Sequence, residues 1–139
     1  MDFHNLYAHG FARVAAVTLP IAMVQPAANA EAVLEQAREL AADGVALAIF
    51  PELCLTGYSI EDLLLQDPVL DAADEAVGLA ADGSADLDTV LVIGAPLRSL
   101  HRIYNCAIVI HRGEILGVVP KSYLPTYREF YERRQIAPG

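Results

Sequence analysis

The sequence contains very little lysine: Lys121 is the only one in 139 residues, and the other basic side chains are eight arginines. Residues 61–88 hold no Lys or Arg but nine acidic residues, and the formal net charge of the chain is −9. Because phosphate contacts need a basic surface, this charge distribution argues against a nucleic-acid partner. We expect the acid-rich segment to be the solvated surface of a helix.

Long apolar runs and closely spaced cysteines are also absent. No run approaches the roughly 18 apolar residues that span a bilayer. The start of the sequence lacks a basic region followed by an apolar stretch, so we expect no signal peptide. Cys54 and Cys106 are isolated, and the four histidines show no metal-type spacing, which predicts free thiols and no metal site. These features favour a cytoplasmic location without a membrane partner.

Five apolar segments predict β-strands in a chain that is 55% hydrophobic. They span residues 13–19, 46–50, 90–94, 103–110 and 115–119. Segment 46–50 has no polar alternation, which predicts burial on both faces. The last two segments flank Arg112 and Gly113, a pattern typical of an antiparallel hairpin.

Three helices are predicted between the strands. Asn29 is placed to cap a helix that runs to about Asp43. A short helix is expected over 59–65, and Asp67, followed by a proline, should begin a third helix that ends before Gly83. The order of elements predicts one α/β domain over residues 1–139, a mixed sheet with helices packed on one face. The last twenty residues predict no closing strand or helix, so we expect an unfinished sheet.

Two ionisable residues stand just after apolar strands. Pro51-Glu52 closes segment 46–50, and Pro120-Lys121 closes segment 115–119. In layered α/β sheets, functional groups gather beyond the carboxyl ends of strands. We therefore expect Glu52 and Lys121 to lie close together, with their charged atoms on the order of 3–6 Å apart.

The residues around these two positions resemble the nitrilase (carbon–nitrogen hydrolase) superfamily. The matching stretches are Phe50-Pro51-Glu52-Leu53, Gly57-Tyr58 and Pro120–Pro125. The longer runs Gly57–Asp67 and Arg102–Gly139 resemble the glutaminase domains of glutamine-dependent NAD synthetases of the actinobacterial type. The resemblance covers essentially the whole chain and implies the N-terminal half of a four-layer α-β-β-α sandwich.

The resemblance also implies roles for individual residues. The family uses a Glu–Lys–Cys triad, in which Glu52 matches the general base and Lys121 the lysine that supports the tetrahedral intermediate. Glu132 resembles a second glutamate found beside the triad lysine, and Tyr58 and Tyr127 are candidates for the glutamine pocket, with core packing as the alternative. A carboxylate can accept the proton of an attacking thiol, and an ammonium can stabilise the developing oxyanion.

Neither cysteine of the chain matches the family's nucleophile, which follows the lysine. Cys54 lies two residues after the base, and Cys106 is in the middle of an apolar strand, where a small buried thiol is usual. We expect these 139 residues alone to lack glutaminase activity. The resemblance implies no cofactor for this segment, and it implies ATP and Mg for a separate synthetase domain that converts deamido-NAD to NAD.

Two other interpretations are open at this point. One is a different nitrilase-type amidase, such as a carbamoylase or ω-amidase. The other is a truncated gene product without enzymatic activity. The runs 59–67 and 127–139 favour the glutaminase. The family resemblance then implies glutamine as substrate, the synthetase domain as partner and a homo-oligomer in the full protein.

Overall fold

The computed structural model describes residues 4–139, which form one five-stranded sheet with two helices on one face. The strands are β1 (Val14–Ala16), β2 (Leu47–Ile49), β3 (Val90–Ser99), β4 (Arg102–His111) and β5 (Glu114–Pro120). The helices are α1 (Pro26–Ala42) and α2 (Asp67–Gly83), and single 3-10 turns cover Leu6–His9, Glu61–Leu65 and Glu132–Arg134. No helix of residues 4–139 is long and apolar enough to cross a membrane.

The sheet is mixed, as the sequence predicted. Its strands lie in chain order, with β1, β2 and β3 parallel, and β3, β4 and β5 antiparallel. Parallel neighbours need a crossover connection, and α1 and α2 supply the two crossovers. The expected hairpin at Arg112 and Gly113 is confirmed, and both residues adopt the positive φ angles that its tight turn requires.

The core lies between the sheet and the helical layer. Small side chains such as Ala37 and Ala80 let the helices approach the sheet, where Leu91, Ile93 and Ile108 are at most 1% exposed. On the other face of the sheet, apolar side chains such as Ile49 and Val119 are 47% and 61% exposed. The expectation that segment 46–50 is buried on both faces is therefore wrong, because helices cover only one face. These are two layers of the expected sandwich.

Helix α1 begins four residues earlier than predicted, with Gln25 rather than Asn29 at the cap position. Asn29 is not its N-cap but a buried residue of the first turn, because Pro26 starts the helix with a preset backbone angle. The amide of Asn29 donates to the carbonyl oxygens of Ala22 and Leu55 and accepts from the backbone N–H of Ala22, each at 2.8 Å. Asn29 thus ties the loop before α1 to the turn after β2.

Helix α2 begins at Asp67, as the proline signal indicated, although Gln66 occupies the cap position and Gly83 is still helical. The expected short helix is present as the 3-10 turn Glu61–Leu65. Strands β1 and β2 are shorter than predicted, whereas β3 continues to Ser99 through a proline.

Strand β3 tolerates a proline because the backbone nitrogen of Pro96 lies on the edge of β3 that pairs with no strand at that point. The carbonyl of Gly94 accepts from the N–H of Leu55 at 3.1 Å, on the side where β2 has already ended. Pro96 is two residues further and faces the same way, so its missing N–H costs no ladder hydrogen bond.

Gly94 also permits the turn after β2 to lie directly on β3. A Cβ atom at this position would come within 2.4 Å of the backbone nitrogen of Leu53 and 2.8 Å of the carbonyl oxygen of Pro51. Both are backbone atoms, which cannot rotate away as a side chain does. The position of the turn that carries Glu52 therefore depends on the absence of a side chain at residue 94.

We expect Gly94→Ala to lower the free energy of unfolding by about 1–3 kcal/mol, the usual cost of overpacking. Gly78→Ala is the matched control, because its added Cβ meets no atom within 4 Å and lies in the middle of α2. That change should be neutral or stabilise by up to about 1 kcal/mol. Urea unfolding followed by circular dichroism measures both, and equal effects of the two substitutions would contradict the close approach.

Candidate active site

Glu52 lies in a tight turn that follows β2. The N–H of Phe50 donates to the carbonyl of Val92 at 2.9 Å, so the chain is still held to β3 one residue before the turn begins. Leu53 then takes a left-handed backbone conformation with φ of 49°, and its side chain is only 1% exposed. Such a conformation is costly for leucine and persists here because the side chain is anchored in the core. Glu52 projects from the start of this turn.

Lys121 follows β5 and is held through its backbone on both sides. Its N–H donates to the carbonyl of Asn105 in β4 at 2.8 Å, and its own carbonyl accepts from the N–H of Gly139 at 3.0 Å. The lysine therefore extends the β4–β5 ladder by one step past the last strand residue. Only its side chain is left to move.

The structure brings Glu52 and Lys121 together, as expected from the sequence and slightly closer than the expected range. The Nζ of Lys121 lies 2.7 Å from Oε1 of Glu52 and 3.0 Å from Oε1 of Glu132. The side chains of Glu52 and Lys121 are 44% and 30% exposed, whereas that of Glu132 is 6% exposed. One ammonium is thus shared between a half-exposed carboxylate and a buried one. We call Glu52, Lys121 and Glu132 the charged cluster.

Glu132 is anchored more firmly than the other two charged groups. The phenol of Tyr58 donates to its Oε1 at 2.6 Å, and its backbone N–H donates to the carbonyl of Pro125 at 3.2 Å. Burial, and then the hydrogen bond to the Glu132 carboxylate, raise the pKa of Tyr58, so the phenol remains a donor. The second oxygen of Glu132 is buried and makes no hydrogen bond within residues 4–139.

The two candidate pocket tyrosines occupy different positions. Tyr58 contacts Glu132 and packs edge-on against Phe130, with ring centres 6.3 Å apart. Both line a cavity of about 430 Å³ that also includes Ser59. Tyr127 is 64% exposed, packs edge-on against Phe130 at 5.9 Å and does not line this cavity. The structure therefore brings Tyr58 into the charged cluster and leaves Tyr127 behind Phe130.

Another cavity, of about 360 Å³, is lined by the ammonium-bearing residue itself. Glu52, Lys121, Asn105, Gly94 and Cys106 are among the residues that line it. The three charged residues thus border two concave surfaces, Glu52 and Lys121 one of them and Glu132 the other, which the aromatic rings also line. An amide carbon placed beside Lys121 would have a carboxylate within reach.

Asn105 is a member of the cluster that the sequence prediction missed. It lies in β4, is 4% exposed, and donates from Nδ2 to Oε1 of Glu52 at 2.5 Å. The available signal was a single amide side chain inside the otherwise apolar stretch 103–110, because a polar group buried in a strand needs a hydrogen-bond partner.

Both cysteines are free, buried thiols, and the polar contacts of each are with backbone groups. The Sγ of Cys54 donates to the carbonyl of Gly94 at 3.6 Å and accepts from its N–H at 3.3 Å. The Sγ of Cys106 contacts the carbonyl of Tyr104 at 3.7 Å. Burial raises the pKa of both thiols, which lowers the fraction of reactive thiolate.

Comparison with known proteins places this geometry in context. Residues 13–137 match the carbon–nitrogen hydrolase family. The glutamine-dependent NAD(+) synthetase of Mycobacterium tuberculosis strain H37Rv is 65% identical over all 139 residues, and that of Mycobacterium leprae is 63% identical. The alignment covers 100% of this chain but 20% of the length of each relative.

Solved structures agree with this comparison. The glutamine-dependent NAD(+) synthetase of Cytophaga hutchinsonii superposes with a TM-score of 0.85 at 28% identity, over 91% of this chain and 22% of that one. An amidase from Nesterenkonia sp. superposes with a TM-score of 0.73 over 92% of this chain and 48% of that one. Its identity is 23%, so it shows the shared fold alone.

The two carboxylates should keep Lys121 protonated beyond the usual range. Burial alone lowers the pKa of Lys121, but the hydrogen bonds and charges of Glu52 and Glu132 outweigh it and raise the pKa. We expect the ¹³Cε resonance of Lys121 to titrate above pH 10.4, which is about the value of a free lysine. The pKa of Lys121 is higher in the folded than in the unfolded state. The ion pair therefore stabilises the fold fully below about pH 10, the pKa of an unfolded lysine, and this stabilisation is lost as the pH rises through the folded-state pKa.

NMR of protein labelled with ¹³C-lysine measures this titration. Lys121→Arg identifies the resonance by removing it, and Glu52→Gln or Glu132→Gln should each lower the midpoint. A midpoint at or below that of free lysine would show that the carboxylates do not hold the ammonium.

Proposed function

Because the chain belongs to the carbon–nitrogen hydrolase family, we propose that it supplies the general base and the lysine of a site that hydrolyses the side-chain amide of glutamine. The observation that carries the proposal is the ammonium of Lys121 held between Glu52 and Glu132 at 2.7 and 3.0 Å. Glutamine is proposed as the substrate because relatives that are 63–65% identical are glutamine-dependent enzymes. The chain spans 20% of the length of those relatives, so a further part of such a protein would complete the site.

The proposed reaction assigns a separate role to each charged group. A cysteine thiol transfers its proton to Glu52 and attacks the amide carbon, and Lys121 stabilises the oxyanion that forms. The protonated Glu52 then gives its proton to the leaving nitrogen, and ammonia departs as the C–N bond breaks. Water, deprotonated by Glu52, hydrolyses the thioester to release glutamate and regenerate the thiol.

We propose that the attacking thiol belongs to a residue outside these 139. Cys54 is fully buried and engaged with Gly94, and Cys106 is 4% exposed within a strand. Burial raises the pKa of both thiols, the opposite of what an activated nucleophile needs. The two native thiols are therefore better suited to packing than to attack.

The ammonia would serve an ATP- and Mg-dependent amidation of deamido-NAD elsewhere in the protein. ATP, Mg and deamido-NAD enter this part of the proposal from the family resemblance of the sequence, and the relatives described as glutamine-dependent NAD(+) synthetases are consistent with it. The segment itself needs no cofactor for the amide hydrolysis described above. A homo-oligomeric assembly and a cytoplasmic location remain expectations from the sequence.

Ammonia release from glutamine tests the proposal directly. In the full-length gene product, Glu52→Gln should lower kcat at least about 100-fold, because it removes the proton acceptor. Lys121→Met should lower kcat by about 100- to 1,000-fold, because it removes the cation that faces the oxyanion. Glu114→Gln is the matched control, an exposed glutamate at the opposite end of β5, and should leave activity unchanged.

Two outcomes would contradict this function. If the wild-type protein released ammonia from short aliphatic amides or carbamoyl compounds but not from glutamine, the enzyme would be a different amidase. Full activity in Glu52→Gln would remove the base from the mechanism.

The cysteine assignment has its own test. We expect Cys54→Ala and Cys106→Ala to retain kcat within about threefold, since neither buried thiol supplies the attacking group. Melting curves control for loss of folding on removing a buried side chain. If either variant stayed folded and lost turnover, that cysteine would be the nucleophile. The 139 residues expressed alone should release no ammonia.

A further inference from the structure

Asn105 stands out as a buried polar residue whose side chain meets a charged group. It is 4% exposed and lies between β3 and β5, directly opposite Pro96. Its neighbours along β4 from 106 to 110 are apolar. Burying an amide among such residues is costly unless it makes a hydrogen bond, and the bond that it makes is to Oε1 of Glu52 at 2.5 Å.

Two donors converge on the same oxygen of Glu52. Lys121 Nζ lies 2.7 Å from Oε1, and Asn105 Nδ2 lies 2.5 Å from it. Two hydrogen bonds from different directions fix where that oxygen lies and thereby restrict rotation of the carboxylate. The second oxygen, Oε2, takes part in neither of these hydrogen bonds.

We propose that Asn105 is a positioning residue for the base, which anchors one oxygen of Glu52 so that the other receives the proton of the attacking group. This inference rests on the proposed amide hydrolysis. A half-exposed glutamate has three side-chain torsions, and a salt bridge to a flexible lysine does not fix them. The side chain of Asn105 is short, buried and carried by a central strand, so its hydrogen bond holds the Glu52 carboxylate in place.

Asn105 also fixes the lysine, through its main chain. Its carbonyl accepts from the N–H of Lys121 at 2.8 Å. One residue therefore binds the base through its side chain and holds the main chain of the lysine through its own carbonyl. Glu52 and the backbone of Lys121 are thus both held from a single strand.

A neutral donor is well matched to this position. The cluster already contains one ammonium and two carboxylates. A second cation at residue 105 would compete with Lys121 for Glu52, and a carboxylate would repel Glu52 or draw Lys121 away from it. An amide supplies a donor without changing the charge balance.

The test compares two near-isosteric variants in the protein as it is produced from its gene. Asn105→Leu and Asn105→Asp should each lower kcat about 10- to 100-fold, the expected effect of losing a hydrogen bond to a charged group. The KM for glutamine should stay within about twofold, because Asn105 orients the base rather than holding the substrate. Thr89→Val is the matched control, since it removes a buried 2.7 Å hydrogen bond to Val45 at the opposite end of the sheet. It should lower the melting temperature and leave kcat unchanged.

The outcomes separate this inference from the proposed function. Absence of ammonia release by the wild-type protein would refute the function. An active wild type with unchanged kcat in Asn105→Leu and Asn105→Asp, or with changes that match Thr89→Val, would overturn the positioning role.

A second measurement covers variants that fail to fold. The side-chain amide protons of Asn105, assigned by comparison with Asn105→Asp, should be shifted downfield and protected from exchange in the wild type. Both effects should disappear in Glu52→Ala. If they persisted, the amide would not be bound to Glu52, and the inference would fail without any assay of activity.

Discussion

The ammonium of Lys121 between two carboxylates is the interaction on which the arrangement of the site depends. Two glutamates converging on one point would repel each other, and Glu132 is nearly buried, so an unpaired charge there would be costly. The ammonium of Lys121 reduces this repulsion and pairs with the buried carboxylate. It also joins three distant segments, the turn after β2, the end of β5 and the 3-10 turn at Glu132–Arg134. Those segments hold their positions in part because the cation binds both glutamates.

The placement of Glu52 and Lys121 was predictable because it follows from strand ends, which short apolar runs mark clearly. Tyr58 and Glu132 were suggested by resemblance to a family, and their contact with each other needed the structure. Asn105 was missed because its significance depends on strand register: pairing β4 between β3 and β5 is what aims its amide at Glu52. Tyr127 has the same residue type as Tyr58, but it packs behind Phe130.

Errors in the fold prediction came from local signals whose meaning depends on tertiary contacts. Asn29 has the chemistry of an N-cap, yet its amide binds Ala22 and Leu55 from inside the helix. The strand predicted over 90–94 continues through Pro96 to Ser99, because β2 pairs with β3 only as far as Val92 and no strand lies where an N–H of residue 96 would point. Ile49 lies in an unbroken apolar run, and only the position of the helices shows which face of that run is covered.

The sharing of Lys121 by two carboxylates has a consequence for the chemical reactivity of this part of the protein. Acylation, carbamylation and imine formation all require an amine that has lost its proton. The raised pKa of Lys121 keeps that form scarce near neutral pH. Because the remaining basic side chains of the 139 residues are arginines, no other side-chain amine competes for such reagents here. The ion pairs that prepare the lysine for an oxyanion thus also shield it from covalent damage by electrophiles.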